Sequence, residues 1–79
     1  MKTSHSILID LAAGQSTIEP LAERLRLPSP VIVAFLADLI TDGLVESSSI
    51  GNPEVGRKLT VYRLTAAGRE AAAEILQPA

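Results

Sequence analysis

Seven basic side chains, nine carboxylates and one histidine carry the charge and proton chemistry of this 79-residue sequence, and it has no cysteine. General acid–base catalysis needs convergent groups with pKa values set apart. The carboxylates Asp10, Glu19, Glu23, Asp38, Asp42, Glu46, Glu54, Glu70 and Glu74 are instead scattered over stretches that read as surface. Glu70 and Glu74 share a helix face at i, i+4, which is the pattern of a solvated face. Ser47-Ser48-Ser49 has no base in any recognisable motif. Gly51 to Gly56 lacks the Gly-Lys-Ser/Thr ending of a phosphate-binding loop. His5 has no second histidine or cysteine with which to share a metal. The residues therefore point away from an enzyme, and to no cofactor and no metal.

The basic residues have a pattern of their own. From Gly51 to Arg63 there are three cations, Arg57, Lys58 and Arg63, against Glu54 alone, a local balance of +2. Arg24 and Arg26 form a second small patch. Phosphate contact is the chemistry that such groups offer, and it supplies affinity without reading sequence. The chain as a whole carries −2, so it lacks the overall basic excess usual for nucleic-acid binding. Phe35 and Tyr62 are its only aromatics, too few for a base-stacking platform.

The length fits one domain, residues 1–79. A chain this short buries about 60% of its unfolded surface, so oligomerisation is one route to added stability. No apolar run approaches the roughly 18 residues of a membrane span, and the N-terminus lacks a secretory h-region. A cytoplasmic protein is expected.

Hydrophobic spacing and punctuation then place the elements. A first helix is expected from about Ser4 to Ala13, with Ile7, Leu8 and Leu11 buried and Gly14 as its stop. Ser16 or Thr17 caps a second helix, Ser16 and Glu19 having capping-box spacing, with Pro20 in the first turn and Leu21, Ala22 and Leu25 inward. Leu27-Pro28-Ser29-Pro30 is a tight turn. A third helix spans residues 30–42, with Ser29 as N-cap, Pro30 at the first helical position and Gly43 at the left-handed stop. Its inward stripe is Ile32, Phe35, Leu36 and Leu39. Its outward face is apolar, with Val31, Val33, Ala34, Ala37 and Ile40. Asp38 and Asp42 are its only charges. Leu44 to Ser48 reads as a short strand, Ile50 to Gly56 as a loop, and Arg57 to Thr65 as a second strand with Thr60, Tyr62 and Leu64 on one face. Thr65 caps a last helix, about Ala66 to Leu76, with a stripe of Ala67, Ala71, Ala72, Ile75 and Leu76.

Three helices, a two-stranded hairpin wing and a C-terminal helix make an α+β, mainly helical, winged helix-turn-helix. The residues resemble that superfamily, most closely its MarR-like and PadR-like transcriptional regulators. Leu21-Ala22-Glu23-Arg24-Leu25 with Leu27 is similar to the second helix and turn. Phe35-Leu36-Ala37-Asp38-Leu39, then Asp42-Gly43-Leu44-Val45, is similar to the end of a recognition helix and its exit into the wing. Gly56-Arg57-Lys58, then Tyr62-Arg63-Leu64-Thr65-Ala66-Ala67-Gly68-Arg69, resembles the wing and final helix of PadR-like proteins.

The resemblance implies a small regulator of transcription that binds double-stranded DNA as a homodimer. It places Ser29, Val31, Val33, Ala34 and Asp38 toward the bases, and Arg24, Arg26, Arg57, Lys58 and Arg63 toward the phosphates or minor groove. Relatives carry Arg, Ser, Thr or Lys at the base-facing positions, and only Ser29 follows that pattern here. Valine and alanine can touch only a thymine methyl, and Asp38 can accept only from a cytosine amine. The alternative is a protein-interaction module that docks a partner through Val31, Val33, Ala34 and Ala37.

Overall fold

The computed structural model describes residues 2–52 and 57–77, and the side chains of all of these except Asn52, Arg57 and Lys58. The chain runs α1 (Thr3–Ala12), α2 (Ile18–Leu25), α3 (Ser29–Thr41), β1 (Val45–Asn52), β2 (Arg57–Leu64) and α4 (Ala66–Leu76). The expected order of helices, hairpin and helix is therefore the observed one. Residues 53–56 of the expected loop lie outside the described residues.

One core holds the elements together. Ile7, Leu8 and Leu11 of α1 meet Leu21 and Ala22 of α2, Ile32, Leu36 and Leu39 of α3, Val45 and Leu64 at the wing root, and Ala72 of α4. Each leucine or isoleucine removed from water contributes about 1.5–3 kcal/mol before chain entropy is set against it. Phe35 is only half-buried, packed against the edge of this core. In α4 the expected stripe narrows. Ala72 is buried and Ala71 and Ile75 partly so, but Ala67 and Leu76 face out, and the buried partner of Ala72 is Gly68.

The helix starts differ from expectation at two places. Ser29 is not a cap but the first residue of α3. Pro28, held at φ −61° and ψ 142°, occupies the cap position. The Pro28 carbonyl accepts from the amides of Val31 at 3.0 Å and Ile32 at 3.2 Å, which starts the helix one residue early. Of the two residues expected to cap α2, Thr17 takes the position, but the Ser16–Glu19 capping box does not form and no side-chain bond closes the cap. Ser16 is drawn elsewhere: its amide donates to the Tyr62 carbonyl at 3.0 Å and its carbonyl accepts from the Tyr62 amide at 2.8 Å. This isolated bridge adds a third rung-bearing segment to the edge of β2.

The strands also outrun expectation. β1 continues through Ser49, Ile50 and Gly51 to Asn52, because each residue finds a partner across the antiparallel ladder from Val45↔Leu64 to Asn52↔Arg57. Leu44 stays outside the strand. β2 stops at Leu64, one residue short: the Thr65 amide still donates to the Leu44 carbonyl at 3.0 Å, in register with the ladder, but the Leu44 amide is taken by the Leu39 carbonyl and the pair is not completed. The shared face of Thr60, Tyr62 and Leu64 follows from the register, with Leu64 in the core and Tyr62 half-buried against it. No described helix is long and apolar enough to cross a membrane.

Candidate nucleic-acid interface

The C-terminal end of α3 is fixed from three sides. Gly43 adopts φ +78°, a conformation that costs a residue with a Cβ about 1–2 kcal/mol. Its amide donates to the Ile40 carbonyl and the Leu44 amide to the Leu39 carbonyl, both at 3.0 Å, a Schellman stop. Thr65 then ties this corner to α4. Its hydroxyl donates to the Gly43 carbonyl at 2.6 Å and accepts from the Gly68 amide at 3.0 Å. Gly68 packs so tightly on the Leu44 backbone that a Cβ there would collide with the Leu44 carbonyl oxygen. The Thr65 and Gly68 positions of the wing-and-helix pattern thus have a structural reason.

The other end of α3 is open. Ser29, Val33 and Ala34 are exposed there, Val33 to 44%, and the exposed stripe continues along the helix through Ala37 to Ile40 at 38%. Val31 is half-buried. Asp38 is exposed but parts from this group, lining instead a groove with Asp42 between α3, α1 and α4. The structure therefore brings together Ser29, Val33 and Ala34, and sets Asp38 on a different flank.

The basic residues fall into three situations. Arg24 grips Asp10 of α1: Nη2 lies 2.7 Å from Oδ1, and Nε lies 3.0 and 2.9 Å from the two carboxylate oxygens. Nη2 also donates to Ser16 Oγ at 3.1 Å. The hydrogen bond to Asp10 is the main effect raising the Arg24 guanidinium above its ordinary pKa; loss of solvent opposes it, and the charge of Asp10 adds a lesser push upward. Arg24 thus fastens α2 to α1 and the α1–α2 turn. Arg63 is paired as well, its Nε 2.6 Å from Glu46 Oε1 directly across the ladder. Both side chains are about half exposed, so the pair adds no more than about 1 kcal/mol.

Arg26 differs. It holds a left-handed conformation at φ 55°, closing α2, with its amide donating to Glu23 and that of Leu27 to Ala22. Its side chain is exposed and shares a shallow depression of the helix-turn-helix with Leu27, Pro28 and Ser29. Arg57 and Lys58 stand in register opposite Asn52 and Gly51 at the far end of the ladder. Their side chains are outside what is described. Arg69, the last residue of the wing-and-helix pattern though not among the expected DNA contacts, is exposed, and its Nη1 donates to the Leu64 carbonyl at 3.3 Å. The Glu46–Arg63 partnership is one that strand register alone can signal. Asp10 and Arg24 are fourteen residues apart on two helices, a distance at which no local pattern signals a pair.

Solved structures with the same architecture share one occupation. ZitR of Lactococcus lactis, described as a zinc-responsive MarR family member, is 28% identical, with a TM-score of 0.78 over 95% of this chain and 51% of its own. The chain has the winged-helix fold of MarR-family regulators. The transcriptional regulator YodB of B. subtilis, at 17% identity, matches with a TM-score of 0.82 over 95% of this chain and 72% of its own. The PcaV transcriptional regulator of Streptomyces coelicolor matches at 23% identity and a TM-score of 0.76, over 92% of this chain and 50% of its own. This winged helix thus spans about half the length of most of the structures that it resembles. No family model matches the sequence, and no curated protein matches it. The zinc response is a property of ZitR. In this winged helix there is no cysteine, and no group of three or more His, Asp or Glu among the described residues is placed to hold a metal.

Proposed function

We propose that this winged helix binds double-stranded DNA as part of a transcriptional regulator and works as a homodimer. The observation that carries the reading is the exposed N-terminal half of α3, presented by a helix-turn-helix scaffold whose structural neighbours regulate transcription. Ser29, Val33 and Ala34 would lie against base edges, with Val31 at their border. Ser29 can donate or accept there, and the valine and alanine methyls suit thymine. Asp38, turned to the flank, would touch bases less than its place in the sequence implies. Arg26, Arg57 and Lys58 would hold phosphates. Arg63 would add little while Glu46 neutralises it, and Arg24 would serve by positioning α2. The neighbours give no support to the alternative in which Val31, Val33, Ala34 and Ala37 dock a partner protein.

Fluorescence anisotropy with the DNA flanking the chain's own gene, at two salt concentrations and beside a native-mass measurement, tests this. Binding should weaken as salt rises. Arg57→Ala with Lys58→Ala should weaken it for every sequence and flatten the salt dependence by about 0.9 in slope for each phosphate no longer neutralised. Absence of binding at low salt would refute the reading. Binding that the double variant leaves intact would remove the wing from it.

A further inference from the structure

On the flank of α3 away from Val33 lies a groove of about 600 Å³, bounded by α1, α3 and α4. Its floor is apolar, with Leu8 and Leu39 of the core, Phe35, Leu44 and Ile75. Its rim is acidic: Asp38, Asp42 and Glu74, beside Ser4 and His5. No lysine or arginine is among the residues lining it.

The rim is unfavourable as it stands. Asp38 and Asp42 are like charges at i, i+4 on one helix face, which repel. Asp38 lies in the last turn of α3 and Asp42 caps its C-terminus, where the negative end of the helix dipole disfavours carboxylates further. Among the described residues the only ion pairs are Arg24–Asp10 and Arg63–Glu46, so neither Asp38, Asp42 nor Glu74 is compensated there. A positive charge over this rim would relieve all three. A second copy of the chain would not, because a two-fold contact through the groove sets carboxylates against carboxylates. The volume is that of a pocket for a compact small molecule.

We propose that this groove binds a small amphipathic organic cation, its hydrocarbon part on Leu8, Leu39 and Ile75 and its charge among Asp38, Asp42 and Glu74. The Phe35 ring, half-buried at the groove, adds a face that attracts cations. The site stands apart from the DNA reading and does not depend on it.

Tetraphenylphosphonium and tetraphenylborate, nearly equal in size and opposite in charge, test it by equilibrium dialysis. The phosphonium should bind one per chain, at least about tenfold more tightly than the borate. Asp38→Asn with Asp42→Asn should lower phosphonium affinity about tenfold and leave borate binding no weaker. That variant removes two carboxylates from a helix C-terminus, so far-UV circular dichroism should show it folded. Phe35→Leu keeps the floor apolar and should cost about two- to fivefold for the cation alone. Equal binding of the two ions would overturn the proposal, as would a double asparagine variant that binds phosphonium as the parent does. A dimer that tightens in the asparagine variant and excludes the probe would give the groove to a second copy, and the proposal would be wrong.

Discussion

The two ends of α3 are built on opposite plans. At its C-terminus, Gly43, Leu44, Thr65 and Gly68 lock together through three hydrogen bonds and a backbone contact with no room for a methyl group. At its N-terminus, Pro28 starts the helix, no side-chain bond closes the cap, and Ser29, Val33 and Ala34 face outward. One end is specified by shape, and the other is left free to meet something else. A helix held rigidly at its far end can present its near end without ordering it afresh on binding, which lowers the entropic cost of recognition.

Substitutions at the two ends should separate these plans, and the largest effect belongs to Gly68. Gly68→Ala forces the Leu44 backbone to move, and we expect a loss of about 3 kcal/mol, seen as a fall in Tm of roughly 12–24 °C. A fall of only a degree or two would mean that the corner is loose and the contrast false. Thr65→Val keeps the volume but removes both hydroxyl bonds, and urea denaturation should show a destabilisation of about 1–2 kcal/mol, with Thr65→Ser recovering most of it. Gly43→Ala should cost about 1 kcal/mol by the same measurement, because the residue must stay at positive φ. Ser29→Ala should be nearly silent in stability, under about 0.5 kcal/mol, since Ser29 caps nothing. A cost near 1 kcal/mol there would restore it as a cap and erase the asymmetry.

The sequence carries the locked end better than the open one. Gly43 follows a periodic apolar run and Thr65 precedes another, and such stop and start signals are local. The element order, the inward leucines of α1 to α3 and the Thr65 cap are all legible for that reason. Gly68 is visible as a residue but not as a contact, because the Leu44 carbonyl that it meets is 24 positions away. Ser16 has the spacing of a capping-box residue, but Tyr62, far along the chain, recruits its backbone. The three serines of β1 carry weak strand signals of their own and are ordered by the partners opposite them. At the interface, exposure of Ser29, Val33 and Ala34 follows from helix phase. The sorting of Arg24 and Arg63 into internal pairs does not, since it depends on which carboxylate each helix or strand happens to face.

The backbone pairing of Ser16 with Tyr62 has a consequence for the wing. A two-stranded ribbon offers two open edges, each a template onto which a foreign strand can add. Here the chain itself occupies one of them beside Tyr62, while the outer edge of β1 begins with Val45, Glu46 and three serines. Self-templated stacking is thereby discouraged at the root of the ribbon by occupancy on one side and by polarity on the other.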